Sequence, residues 1–205
     1  MPRRPQQARA KATVAAIVEA ASQLLASEGP KGLTTRRIAE RAGIGVGSVY
    51  EYFADRDAII DALYQQFIAE AVQALKPLIP DIVRIPLRQA ITALLMRLHD
   101  LLQANNGRWL GCVKQAPKLV RHNPDEPLRQ ILMSFLMQYV AHHPELMQQR
   151  NLPVMSYIYI NGGIFTVVRH LGETNPPISF EVLVEGLADM VATSLENGAK
   201  PVGHY

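Results

Sequence analysis

The sequence predicts an all-α protein, with an N-terminal three-helix helix-turn-helix domain joined by a fourth helix to a C-terminal helical domain. Three observations lead there. Apolar residues recur at three- and four-residue spacing along most of the chain, which is the period of a helical face. Glycine- and proline-containing breaks cut that pattern into segments of helix length. Charge is unevenly placed: residues 1 to 41 hold eight Lys and Arg against three Asp and Glu, whereas residues 61 to 205 hold twelve of each. A basic head on an electrically balanced body is the distribution expected of a polyanion-binding protein, although a solvated basic face would have the same composition.

With 205 residues, 48% of them apolar and 19% charged, the chain can bury an ordinary globular core without a covalent staple. Cys112 is the only cysteine, which excludes an intramolecular disulfide and a thiolate zinc cluster. The start, Met-Pro-Arg-Arg-Pro, imitates a targeting peptide, but Glu19, Gln23 and Glu28 interrupt the apolar run behind it. No uncharged stretch reaches membrane-spanning length, and a soluble, cytoplasmic protein is expected.

Val14, Ile17, Val18, Ala21, Leu24 and Leu25 mark the first helix, stopped by Gly29-Pro30. Thr34 is placed to cap a short second helix, Thr35 to Ala42, with Ile38 and Ala39 inward. Gly43-Ile44-Gly45 breaks the chain briefly before helical character resumes over Val46 to Phe53. Asp55 caps a longer helix with Ile59, Ile60, Leu63, Phe67, Ala71 and Leu75 as its buried stripe. Prolines 77, 80 and 86 then form a natural joint.

Leu87, Ile91, Leu94, Leu95, Leu98, Leu101 and Leu102 predict a helix ended by Asn105-Asn106-Gly107. A shorter piece from Trp109 to Val120 is expected to be kinked or split at Pro117. Leu128 to Val140 is a further helix, closed before Pro144. Two more run from about Val154 to Leu171 and from Phe180 to Leu195, separated by Asn175-Pro176-Pro177. The run Met155 to Ile160 would suit a strand in isolation but has no pairing partner elsewhere, so it is read as helix.

Two short helices joined by a glycine-containing turn, close behind a basic N-terminus, form the arrangement that sets a second helix into the DNA major groove. On that second helix Val49 and Phe53 lie one turn apart and must pack inward. Val46, Gly47, Tyr50 and Glu51 then face outward, flanked by Ser48 and Tyr52.

The ordered set Leu33-Thr34-Thr35-Arg36-Arg37-Ile38-Ala39, Ala42-Gly43-Ile44 and Ser48-Val49-Tyr50-Glu51-Tyr52-Phe53 resembles the DNA-binding domain of the tetracycline-repressor (TetR) family. The likeness covers roughly residues 10 to 65; beyond it only the helical pattern is similar. The resemblance implies that Thr34 and Thr35 bind phosphate, that Arg36 reaches a guanine edge, and that Val46, Gly47, Ser48 and Glu51 stand where bases are read. It implies mixed phosphate and base contacts for Tyr50 and Tyr52, and places Arg56 where the family has a phosphate-pairing lysine. Hydroxyls at a helix N-terminus suit phosphate, and arginine suits guanine.

Packing aromatics are the alternative for Tyr50 and Tyr52. Gly45 departs from the family's Ser or Thr cap, and Val46 with Gly47 offers few hydrogen bonds, leaving a thymine-methyl contact for Val46. The basic arm from Pro2 to Lys11 either follows the DNA or is a weakly contributing tail.

Residues 1–55 are thus read as the DNA-binding domain and 56–205 as a ligand-sensing and dimerisation domain, since the resemblance implies a small-molecule pocket and an intersubunit four-helix bundle. His99, Trp109, Met133, Met137, Tyr157, Asn161, Phe165 and Arg169 are polar or adaptable side chains on apolar helices, fitted either to a pocket or to ordinary core. Phe180, Leu183, Val184, Leu187, Met190 and Val191, with Val182, form a stripe wider than one neighbour needs. Gly162-Gly163 and Gly186 would permit close approach there, so these last two helices are expected to form the dimer interface.

No metal site or cofactor is expected, because His142 and His143 diverge on a helix and His99, His122 and His170 are scattered. Nor is an enzyme: no nucleophile with its base, paired carboxylates or phosphate-cradling loop is visible. The expected partners are a palindromic double-stranded DNA operator, an unidentified small-molecule effector and a second copy of the chain. The function expected is a repressor released by its effector; the alternative is a ligand-independent DNA organiser or recruitment protein using the same head.

Overall fold

The computed structural model describes residues 5–119, 126–149 and 151–198. Among these residues there is no strand, and no helix is long and apolar enough to cross a membrane. The helices are α1 (Pro5–Gly32), α2 (Thr35–Ala42), α3 (Val46–Tyr50), α4 (Arg56–Leu75), α5 (Ile79–Ile82), α6 (Leu87–Leu119), α7 (Glu126–His142), α8 (Leu152–Gly172) and α9 (Phe180–Gly198). The chain divides into two compact units, Met1–Phe67 with Leu102–Pro124, and Ile68–Leu101 with Asp125–Tyr205.

In the first unit Ile17, Val18, Ala21, Leu24 and Leu25 of α1 are buried as their spacing predicts, and Gly29 breaks the helix with φ 68° and ψ −169°. Positive φ is cheap only for glycine, so the sequence signal at Gly29-Pro30 is a backbone requirement. Upstream, α1 reaches back to Pro5, so residues 5 to 11 of the basic arm are helical; Met1 to Arg4 lie outside the described residues. The inward stripe of α4 is buried at Ile59, Ile60, Leu63 and Phe67. It shares a tilted aromatic cluster with Trp109, whose ring centroid lies 5.9 Å from that of Phe67.

The expected division at Asn105-Asn106-Gly107 is overturned. The helix continues without interruption from Leu87 to Leu119, through Pro117 as well. Leu102, Trp109 and Val113 are buried at helical spacing, and their packing outweighs the roughly 1 kcal/mol that an interior glycine costs relative to alanine. Gly111 lies on the side of α6 that meets α1. A Cβ there would stand 3.3 Å from Leu25 Cγ and 3.4 Å from the Leu25 carbonyl oxygen.

In the second unit the proline-bearing stretch is itself helical, a short 3-10 turn over Lys76–Leu78 followed by α5. Ile79, Ile82, Val83 and Leu87 bury that corner. Two of its carbonyls are taken by α7 and the residue that follows it: Tyr139 Oη donates to the Ile85 oxygen at 3.1 Å, and His143 Nε2 donates to the Val83 oxygen at 3.1 Å. The two rings stack with centroids 4.2 Å apart. Met155 to Ile160 is helical within α8. Phe180, Val184, Ala188, Ala192 and Leu195 line the inward face of α9, and the Leu195 carbonyl accepts from buried Gln149 Nε2.

Candidate nucleic-acid interface

Helix α2 begins as the sequence requires. Thr34 has extended backbone angles (φ −117°, ψ 148°), and its Oγ1 accepts from the Arg37 N–H at 3.3 Å. That bond satisfies one of the unpaired amides of the first turn and leaves the hydroxyl hydrogen free to donate outward. Ile38 and Ala39 are buried while Arg36 is exposed and Thr35 half-buried. Gly43 ends α2 in the left-handed conformation (φ 70°, ψ 31°), and Ile44 N–H returns to the Ala39 carbonyl at 3.0 Å. Such a C-cap turns the chain sharply at little cost only with glycine.

Helix α3 is shorter than expected, stopping at Tyr50 rather than Phe53. A turn carries it on: Tyr52 N–H bonds the Val49 carbonyl at 3.1 Å and Phe53 N–H the same oxygen at 3.0 Å. Gly45 contributes no side-chain cap, as its lack of a hydroxyl dictates. The faces fall as the periodicity requires. Val49 and Phe53 are buried, whereas Val46, Gly47, Tyr50, Glu51 and Tyr52 are exposed and Ser48 is half-buried. Beside Gly47 there is open space where a side chain would be. Asp55 then caps α4, its Oδ1 accepting from the Ala58 N–H at 2.8 Å, with Arg56 exposed beside it and 3.6 Å from Asp57 Oδ1.

Thr34, Thr35, Arg36, the outward residues of α3 and Arg56 thus fall within one short segment whose inward residues, Ile38, Ala39, Val49 and Phe53, are buried. Chemically it presents hydroxyl, guanidinium and phenol donors beside the Glu51 carboxylate, groups suited to phosphate oxygens and base edges. The arginines are not equivalent. Arg36 Nε sits 3.1 Å from Glu40 Oε1 on its own helix and is almost fully exposed, whereas Arg37 and Arg41 reach back to Glu28 and Gln23 of α1. Charge counting could not separate them, because ties to α1 depend on how α1 and α2 cross.

The body candidates differ in their surroundings. Trp109 is buried in the first unit. His99 stacks on Phe180 at 4.8 Å in the second. Met133 and Asn161 are half-buried, and Asn161 Oδ1 accepts from Arg129 at 3.2 Å. Met137, Tyr157 and Phe165 are exposed, as is Arg169, which pairs with Glu173 at 3.5 Å.

Among the interface candidates, Phe180 and Val184 are buried within their own protomer, Leu183, Leu187 and Val191 are half-buried, and Met190 is exposed with Val182. Sequence reading passed over Val154 and Ile158. These two, with Tyr157 and Phe165, form an exposed apolar stripe along α8. Their spacing of three, four and seven residues was available as a signal; which way the stripe faced was not. The side chain of Cys112 lies outside the described residues, as does His122.

Known proteins match this arrangement. Residues 17–63 match the family model for bacterial regulatory proteins of the tetR family. The chain is 41% identical over 54 residues to the class A tetracycline repressor protein from transposon 1721 of Escherichia coli, and 40% identical over 53 residues to the class C repressor. Each of these matches takes in 26% of this chain, and they span 25% and 24% of the length of those relatives. Over the whole fold the chain is similar to a TetR-family transcriptional regulator structure from Mesorhizobium loti (TM-score 0.64, 17% identity, 92% of this chain and 97% of that one). It is similar also to the fatty acid degradation regulator FadR of Bacillus halodurans (TM-score 0.63, 16% identity, 87% and 97%). The head of the chain, residues 17–63, thus matches the family model for bacterial regulatory proteins of the tetR family, and the fold as a whole is similar to that of the two regulators of known structure.

Proposed function

We propose that this protein is a cytoplasmic, homodimeric, DNA-binding transcriptional repressor whose operator complex is released by a small molecule. The observation carrying the DNA-binding part is the outward face of α3. Val46, Gly47, Tyr50 and Glu51 are exposed together, with Val49 and Phe53 anchoring the helix from behind, in a segment that matches the family model. Thr34 and Thr35 contact phosphate and Arg36 reads a guanine. Tyr50, Tyr52 and Ser48 supply the remaining polar contacts, Glu51 accepts from a cytosine amine, and Val46 meets a thymine methyl. Arg56 pairs with phosphate at the start of α4.

The dimer forms through α8 and α9, pairing the stripe Val154, Tyr157, Ile158 and Phe165 with its symmetry mate and drawing in Val182, Leu187, Met190 and Val191. This reading is supported by the exposure of that stripe and by open space beside Gly162 and Gly186, where a neighbouring helix can approach. Two heads must stand about 34–36 Å apart to meet successive major grooves. A ligand that favours a different spacing lowers operator affinity, with α4 as the connecting element, since it is one unbroken helix from Arg56 to Leu75 with residues in both units.

The test begins with selection of binding sites from a random duplex pool. Arg36→Ala should then cost about 1–3 kcal/mol on the selected site and relax preference at one base position; equal loss on random duplex would assign Arg36 to phosphate. A structure of FadR from Bacillus subtilis, similar in fold (TM-score 0.55, 14% identity), contains stearoyl-CoA, which makes that compound a first probe of the body. Release requires a bound effector to weaken the operator and the operator to weaken the effector by the same factor. Equal ligand affinity with and without operator would leave a DNA-binding protein whose body only dimerises.

A further inference from the structure

At the junction of α1 and α2 a carboxylate and a guanidinium close across the turn. Arg37 Nη2 donates to Glu28 Oε1 at 2.6 Å, and Nη1 pairs with Oε2 of the same carboxylate, a two-pronged contact. Glu28 is the last residue before the helix-breaking Gly29, and Arg37 stands in the first turn of α2, so the pair spans the whole connection. Gly32 makes the route possible. A Cβ there would lie 2.5 Å from Glu28 Cβ and 2.7 Å from Glu28 Oε2, inside any tolerable contact. On the other side of the turn, the backbone N–H of Arg37 is held by the Thr34 cap at 3.3 Å. Arg37 is therefore fixed from both its backbone and its side chain. The carboxylate is about one quarter exposed and the guanidinium about one half (28% and 47% of the side chain).

From this we infer that Glu28, Gly32 and Arg37 form a clamp that sets the orientation of α2, and with it Thr34, Thr35 and Arg36, for DNA. Arg37 is then a positioning residue rather than a phosphate contact. The inference rests on the DNA-binding reading and adds a role that composition alone would assign the other way, since Arg37 counts among the basic residues of the head. Forked arginine–carboxylate pairs fix direction as well as distance, while a partly exposed pair adds little to stability. The consequence is a defect in binding with little defect in folding.

Glu28→Gln provides a test by sign. Removing a negative charge from a DNA-binding head should strengthen binding through the long-range field. If the clamp orients α2, the same change weakens binding to the selected site, by about tenfold, a typical penalty for losing one well-made contact. Gly32→Ala should reproduce that loss by displacing Glu28, and the exchange Glu28→Arg with Arg37→Glu should restore part of it. The salt dependence separates the two roles of Arg37. Each phosphate contact contributes about −0.9 to the slope of log K against log salt, so Arg37→Gln should lower affinity with an unchanged slope. Circular dichroism and melting temperature accompany each variant.

Wild-type binding that Glu28→Gln leaves equal or tighter, or a slope reduced by about one in Arg37→Gln, overturns the clamp while leaving the DNA-binding reading intact. A wild-type chain that retains no duplex from the pool overturns both.

Discussion

Replacing Phe165 by Asp should split the dimer without unfolding the protomer, and the size of the effect follows from exposure. Along α8, Val154, Tyr157, Ile158 and Phe165 are 59, 71, 56 and 67% exposed, so each has more than half of its surface still to bury. Full burial of such a side chain is worth about 1.5–3 kcal/mol, and two-thirds of that for Phe165 is about 1–2 kcal/mol per copy. A twofold interface counts the loss twice, or about 2–4 kcal/mol, which converts to a dimer constant weaker by about 30- to 1,000-fold. Desolvating two unpaired carboxylates adds to the loss. Sedimentation equilibrium across a concentration series reads the constant, and circular dichroism should show unchanged helix content, because the residue is already mostly in water. Val184→Asp is the contrasting case: at 1% exposure its charge would enter the protomer core and unfold it. A Phe165→Asp chain that stays dimeric over the wild-type concentration range would refute α8 as the interface.

Three further outcomes are expected. Asp55→Ala removes the acceptor of the Ala58 N–H and should cost about 1 kcal/mol of stability, read as a lower melting temperature; no change would mean the cap is not formed in solution. Ser22 is fully buried in α1 with its Oγ unpartnered among the described residues, so Ser22→Ala should stabilise by about 1 kcal/mol through relief of the orphan hydroxyl and better helix propensity. Destabilisation would reveal a partner. The carboxyl of Glu181 is held below its usual range by its own backbone N–H, then by the Ser179 hydroxyl, with smaller contributions from His99 and His170. A depressed folded value means stability present above the ordinary pKa of 4.5 and lost as pH falls through the folded value. Melting curves of wild type and Glu181→Gln should differ at pH 7 and converge in acid, and parallel curves would deny the coupling.

Much of the head was readable because its signals are local. A cap is a hydroxyl next to a helix start, as at Thr34, and a left-handed turn asks for glycine, as at Gly43 and Gly29. The inward pair Val49 and Phe53 followed from one turn of helix. Helix α3 came out shorter than expected because its last residues take a turn onto the Val49 carbonyl, a difference that periodicity cannot register. The error at Asn105-Asn106-Gly107 has another origin. Those residues weaken a helix by amounts near 1 kcal/mol, whereas burial of Leu102, Trp109 and Val113 on either side contributes several times that. Local propensity loses when neighbours arrive from far along the chain.

By itself the sequence determined the helical class, the succession of helices in the head, its basic charge and which residues of α2 and α3 face inward, since these depend on residue type and on spacing over short stretches. Only the tertiary structure decided which arginines remain free to face outward and which are tied to α1. It also decided that Trp109 belongs to the core of the first unit, and that Tyr157 and Phe165 look into solvent while Phe180 and Val184 look into the fold. Helical periodicity defines a face but not what that face meets, because the partner lies tens of residues away and is chosen by how the helices cross.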